Sequence, residues 1–331
     1  MGKILLLLIV LMGRVVAGFD EESASRFIQT PEDRQNLEWI RSLYEKNQRH
    51  LSSNDSDFRI PPVFHVIWLG PREFPSWDRM KKWCEAHPGW KMKFWTDLDR
   101  DVPVGVEKKL VDQFSFPSKD RYYQSENYGE KSELLRYEIL FQEGGVYIDH
   151  DTVCVQSLQN LNRGFDFYCG LVVPDVSILS SSIFPSSHLI GSKPNNPILA
   201  YALAWVNERW DWIGKCYPGS DALACLNRVK HRTFTALEKG IKAKAGDRDV
   251  VFPSRFFSDS NLKKAIFATH LQKGTWYRED SPFEVKTKKS LQELALSGSS
   301  SVDLMWMLAT LHVAAIILAL LWRKRKVYSI S

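Results

Sequence analysis

One stretch, residues 131–154, constrains the architecture more than any other. Leu134, Leu135, Ile139 and Leu140 recur at helical spacing and mark one apolar face, with Tyr137 beside them. Gly144-Gly145 ends that helix, because glycine takes the left-handed backbone of a C-cap without steric cost. Val146, Tyr147 and Ile148 then read as a short buried strand, and Asp149 and Asp151 emerge at its end. Side chains two apart on an extended chain share a face, so the two carboxylates can converge on one ion. Hard divalent cations take oxygen ligands and bridge protein carboxylates to substrate phosphates. An Asp-x-Asp standing alone is more often a solvated turn. Here the strand before it, and Arg136 on the preceding helix, favour a site.

Ser132-Glu133-Leu134-Leu135-Arg136-Tyr137, followed by Gly144-Gly145-Val146-Tyr147-Ile148-Asp149-His150-Asp151, resembles the sugar-binding region of glycosyltransferase family 32. That family carries a Ser/Ala-Asp-x-x-Arg-Tyr helix and then Gly-Gly-hydrophobic-Tyr-hydrophobic-Asp-x-Asp. Glu133 departs from it, standing where the family usually has Asp. The opening Ile60-Pro-Pro-Val-Phe-His-Val-Ile-Trp68, the Trp95-Thr96-Asp97 triplet and the Ile190-Gly191-Ser192 segment are also similar to family motifs. So is the late His270 with Thr275-Trp276, where Thr275 replaces a serine. Family members commonly have Asn shortly before the Gly-Ser pair; Ser186, Ser187 and His188 stand there, so that contact does not transfer. The resemblance spans about residues 60–277.

It implies a type A glycosyltransferase fold, a Rossmann-like α/β domain with a mixed central sheet and the Asp-x-Asp at a strand end. It also implies retaining transfer of a hexose from a nucleotide diphosphate sugar to a glycan, lipid or protein acceptor. Asp149, Asp151 and His270 would hold Mn²⁺ or Mg²⁺, for which carboxylates and imidazole are suitable ligands. Asp149, Asp151, Arg136 and Glu133 would carry the chemistry. Trp68, Tyr137, Gly191, Ser192, Thr275 and Trp276 would contact substrate. Taken without the resemblance, Trp68 reads as core and His270 as an ordinary hydrogen-bonded histidine.

The 331 residues allow a sizeable core, and a net charge of +5, partly confined to a C-terminal run, gives no nucleic-acid-binding stripe. Both ends point to a membrane. Lys3, the apolar run 4–12 and Val15-Val16-Ala17 lay out a signal peptide, although Arg14 after the run equally suits an uncleaved anchor. Residues 304–322 contain no formal charge and would extend about 28 Å as a helix, close to the thickness of a hydrocarbon core. Trp306 and Trp322 lie near its ends, and Arg323-Lys324-Arg325-Lys326 follows. By the positive-inside tendency, that tail is cytoplasmic and the main domain non-cytoplasmic. The expected organisation is a signal peptide or anchor at 1–18, a stem at 19–59, a catalytic domain at 60–279 and a linker at 280–303. A transmembrane helix at 304–322 and a basic tail at 323–331 complete it, making a single-pass membrane protein.

Elsewhere the pattern predicts strands at 63–68, 91–95, 165–173 and 250–253, and helices at 77–87, 106–114 and 198–212. Asp97, Asp99, Arg100 and Asp101 read as charged surface, and Trp205 and Trp212, seven apart, as a shared core face. Asn54-Asp55-Ser56 is a glycosylation sequon for a secretory lumen. Cys216 and Cys225 bracket a turn and could bridge in an exported domain or remain free thiols. A glycoside hydrolase needs two carboxylates about 5–9.5 Å apart across the scissile bond, which carboxylates two residues apart do not suit. The remaining alternative is a membrane-tethered carbohydrate-binding protein with a degenerate transferase site.

Overall fold

The structure is a computed structural model that describes residues 30–53, 55–171, 183–219, 222–258 and 264–271. Its centre is a seven-stranded mixed sheet in the order β3-β2-β1-β4-β7-β6-β8. These strands are β1 (Val63–Trp68), β2 (Lys91–Thr96), β3 (Val106–Leu110), β4 (Gly145–Ile148), β6 (Phe167–Leu171), β7 (Pro185–Ser192) and β8 (Asp249–Phe252). β5 (Thr152–Cys154) and β9 (Ala268–His270) pair antiparallel in a small second ladder. Only β7 opposes the common direction of the main sheet. β1 and β4 are buried at every position, as their uninterrupted apolar runs require of strands covered on both faces.

The chain builds outward from β1 to β2 to β3, then returns to lay β4 on the other side of β1. That reversal opens a crevice beyond the carboxyl ends of β1 and β4, the usual binding position in open α/β sheets. The helix preceding β4, α4 (Tyr128–Glu143), is capped at its start by Asn127, whose side chain accepts from Glu130 N. It stops at Gly144 (φ 65°), and Gly145 (φ 99°) opens the strand. A Cβ on Gly145 would lie 2.7 Å from Val63 O and 2.9 Å from His65 Nε2, so glycine is what lets β4 lie against β1. His65 reinforces the join: its Nε2 donates to Gly144 O at 2.9 Å and its Nδ1 accepts from Trp95 Nε1 at 3.1 Å.

Three expectations change. Residues 106–114 form strand β3 and a 3₁₀ turn (Val111–Gln113), not a helix. Val106, Leu110, Val111 and Phe114 mimic helical spacing, but backbone pairing with β2 outweighs the helix propensity of Glu107, Lys108 and Lys109. The helix expected in a stem, α1 (Pro31–Asn47), is integral to the domain. Leu37, Ile40 and Tyr44 are buried, Tyr44 packs edge-on against Phe252 at 6.0 Å, and Asn47 donates to Asp249 O at 2.7 Å. Trp212 is 59% exposed, whereas Trp205 packs partly against the core, so the two do not share a buried face. Helix α2 (Trp77–Ala86) and the long helix α6 (Pro197–Cys216) lie close to where their patterns put them. Cys216 is exposed and Cys225 buried, both as free thiols. The sequon Asn54 and the expected signal, linker, membrane and tail segments lie outside the described residues.

Candidate active site

Asp149 follows the last residue of β4, and its backbone N–H donates to His188 O on β7 at 2.8 Å. The chain turns there, Thr152 N donating to Asp149 O at 3.0 Å, and re-enters extended structure as β5. Asp149 and Asp151 face one side of this turn. His150 faces the other, with its Nδ1 3.0 Å from Ser76 Oγ and its ring against Trp68 and Phe74. The antiparallel ladder of β5 and β9 sets His270 opposite Thr152. Its Nε2 lies 3.1 Å from Asp151 Oδ1 and 3.6 Å from Asp149 Oδ2. One ligand atom from each of the three residues lies within 4.8 Å of the others. Two carboxylate oxygens and an imidazole nitrogen at that spacing fit a divalent ion such as Mn²⁺. Burial alone would lower the His270 pKa, but the hydrogen bond and charge of Asp151, with Asp149 beyond, raise it above the usual value. The carboxylate pair thus already attracts positive charge.

Arg136 reaches the same place from α4. Its guanidinium stacks 4.0 Å above the Tyr147 ring, donates to Ser187 O at 2.7 Å, and lies 3.4 Å from Asp149 Oδ1 and 3.1 Å from Glu133 Oε1. Burial opposes its charge, yet Glu133, Tyr147 and Asp149 outweigh that and keep it protonated. Glu133 also accepts from Ser187 Oγ at 2.8 Å. Its pKa is raised, because burial outweighs Arg136 and Ser187. Glu133 Oε2 is buried without a hydrogen bond among the described residues. The Tyr137 side chain lies beside this carboxylate and helps to offset its burial.

The substrate-contact residues expected from sequence are not all here. Tyr137 is fully buried and donates to Thr233 O at 3.2 Å, so it packs in the core instead of lining the crevice. Gly191 and Ser192 pair with Val146 and Gly145 at the start of β4, about 10 Å along the strand from Asp149. Because β7 runs antiparallel, its first residues reach the crevice, not its last. Ser192 donates to Lys193 O, and Gly191 makes room for the Tyr168 ring. Trp68 is 9% exposed with its N–H given to Arg72 O at 2.8 Å. Asp97, expected on charged surface, accepts from Gly70 N and pairs with Arg100 at 3.5 Å, which steadies the loop after β1. Thr275 and Trp276 lie outside the described residues. Sequence reasoning passed over Ser187, His188 and Tyr147. Tyr147 had a signal: it lies two residues before Asp149 on the same face, and its hydroxyl donates to Asp149 Oδ1 at 2.5 Å.

A mixed sheet that reverses at a crevice holding two carboxylates, a histidine and a buried arginine can hold a divalent ion and an anionic substrate side by side. Residues 77–168 match the family described as "Glycosyltransferase sugar-binding region containing DXD motif". An uncharacterized glycosyltransferase of Acanthamoeba polyphaga mimivirus is 31% identical over 43% of this chain and 53% of its own length. Inositol phosphoceramide mannosyltransferase 3 of Schizosaccharomyces pombe is 28% identical over 34% of this chain and 30% of its own. The matched region therefore spans about half or less of these relatives. Among solved structures, the PaToxG glycosyltransferase is 16% identical with a TM-score of 0.45, over 79% of this chain and 94% of that one.

Proposed function

We propose that this protein is a metal-dependent retaining glycosyltransferase that moves a hexose from a nucleotide diphosphate sugar to an acceptor. The observation that carries the reading is the convergence of Asp149, Asp151 and His270 beside Arg136, which Glu133 backs. Breaking a sugar–phosphate bond leaves negative charge on the diphosphate, and a divalent ion, which Asp149, Asp151 and His270 would hold, would supply its electrostatic stabilisation. Arg136, fixed on both sides by Tyr147 and Glu133, presents a permanent cation toward the donor. Glu133, its Oε1 held by Ser187 and Arg136, keeps that guanidinium aimed at the donor sugar. Tyr147 orients Asp149 by its hydroxyl. The acceptor proton passes to the departing phosphate, so retention needs no dedicated base.

The names of two relatives, the S. pombe enzyme and the mannosyl phosphorylinositol ceramide synthase SUR1 of Saccharomyces cerevisiae, favour mannose as donor sugar and a lipid acceptor. The apolar segment 304–322 and its basic tail agree with a membrane anchor that holds the catalytic domain on the non-cytoplasmic side. Among the described residues, no helix is long and apolar enough to cross a membrane. The test is hydrolysis of a panel of nucleotide diphosphate sugars by the full chain with Mn²⁺, with and without EDTA. Turnover of one donor that EDTA abolishes and Mn²⁺ restores is the expected result. No turnover of any donor would favour the carbohydrate-binding alternative, and turnover indifferent to EDTA would remove the metal.

A further inference from the structure

We propose that His188 is a positioning residue that holds both arms of the metal cluster in register, a role that rests on the metal reading above. His188 lies on β7, outside the carboxylate pair and the late histidine. Its backbone carbonyl accepts from Asp149 N at 2.8 Å, which fixes the turn that aims the first carboxylate. Its imidazole lies flat on the His270 ring, with centroids 4.4 Å apart and planes 4° from parallel. One residue thus touches the aspartate arm through its main chain and the histidine arm through its side chain.

The His188 ring is itself held. Its Nε2 donates to Phe257 O at 3.1 Å, and a carbonyl only accepts, so this nitrogen carries the proton. Nδ1 is left to accept from the Ser186 hydroxyl. His188 is 5% exposed. Ser258 Oγ also lies 3.5 Å from Nε2, so the edge contacts come from separate elements, β7 and the residues that follow the 3₁₀ turn Ser254–Phe256. The plane of His188 is therefore set by the fold. His270 needs such a template, because it ends a three-residue strand whose ladder with β5 fixes the backbone but leaves the ring free to rotate. A parallel neighbour at van der Waals distance removes most of that freedom and keeps Nε2 turned toward Asp151 and Asp149. Residues that orient a ligating histidine commonly change metal affinity 10–100-fold when removed.

The experiment measures Mn²⁺ binding to the full chain in detergent by the loss of the free-ion EPR signal, together with the nitrogen coupling of the bound ion. His270→Ala should weaken binding and abolish the nitrogen coupling. His188→Ala, which removes the template but no ligand, should weaken Mn²⁺ binding about 10-fold and reduce the coupling. His188→Phe, which keeps a flat ring, should stay within about threefold of the natural protein. If His188→Ala does not fold, Ser186→Ala, which frees one edge of the ring, replaces it and should weaken binding severalfold. Natural affinity and coupling in the folded His188→Ala protein, or in Ser186→Ala where that replaces it, would overturn the proposal. Equal losses in His188→Phe and His188→Ala would also overturn it. If the natural protein itself binds no Mn²⁺, the metal reading fails instead, and the two failures are thereby distinguished.

Discussion

Replacing Asp151 by alanine removes one of three candidate ligands while leaving its main-chain contacts, because Asp151 O still accepts from Leu271 N. The side chain is 3% exposed and faces His270, not the apolar core, so the fold should survive. Losing its bond to His270 is offset by relief of the repulsion between two adjacent carboxylates. We therefore expect a stability change within about 1 kcal/mol, a melting shift of about 2–4 °C. Function should respond far more. Asp151 would act on the departing diphosphate only through the ion it helps to hold, and losing a charge-stabilising element of that kind costs about 2.7–4 kcal/mol, or 10²–10³ in rate. The assay pairs nucleotide-sugar hydrolysis at saturating Mn²⁺ with Mn²⁺ titration and a thermal melt. Asp151→Asn is the control, since it keeps an acceptor for His270 but removes the charge. Asparagine should be nearly as inactive as alanine. Activity within tenfold of the natural protein in both variants, with unchanged Mn²⁺ affinity, would remove Asp151 from the site.

Glu133→Asp draws the carboxylate back by one methylene, away from Ser187 and Arg136; donor preference should shift with little change in melting temperature, and identical kinetics with every donor would show that Glu133 meets no sugar. Gly145→Ala places a Cβ against the Val63 carbonyl at a φ of 99°, so backbone strain and crowding of the β1–β4 join should destabilise by about 2–4 kcal/mol, read by urea unfolding. At the opposite end of the sheet, burial would raise the Asp166 pKa, but hydrogen bonds from Arg59 and Lys193 outweigh it and lower it below its ordinary value. Its stabilisation is therefore present above the unfolded-state pKa and lost as pH falls through the folded one. The stability gap to Asp166→Asn should be constant near neutral pH and close below about pH 4, and a gap independent of pH would refute this. Truncation after Ser301 should release the domain from membranes, and a chain found soluble at full length would refute the anchor.

Helix α4, the glycine pair, strand β4 and the emergence of Asp149 and Asp151 were legible because each is dictated within a few residues. Helical spacing, a left-handed cap and an apolar run are local causes. What failed was nonlocal. The segment 106–114 has the spacing of a helix, and only the presence of β2 beside it makes it a strand. The α1 helix looked like a stem because its apolar face gives no address; Phe252 and Asp249, some two hundred residues later, supply it.

Strand β7 carries the same lesson into the site. Its similarity to a family motif drew attention to Gly191 and Ser192 at its end. Antiparallel pairing inverts the strand, so Ser187 and His188 at its start meet Asp149 and Arg136. No pattern within 185–192 records that inversion. It follows from β7 being the one strand that runs against the rest of the sheet, which the chain can only settle once β4 and β6 are in place. His270 is the extreme case, an unremarkable histidine by its own neighbours, carried to Asp151 by pairing between two three-residue strands. A ladder that short has little stability of its own, so the position of the His270 ring depends on side-chain contacts around it. The carboxylates belong to the rigid sheet and the histidine to its margin, and the flat contact between His188 and His270 joins the two.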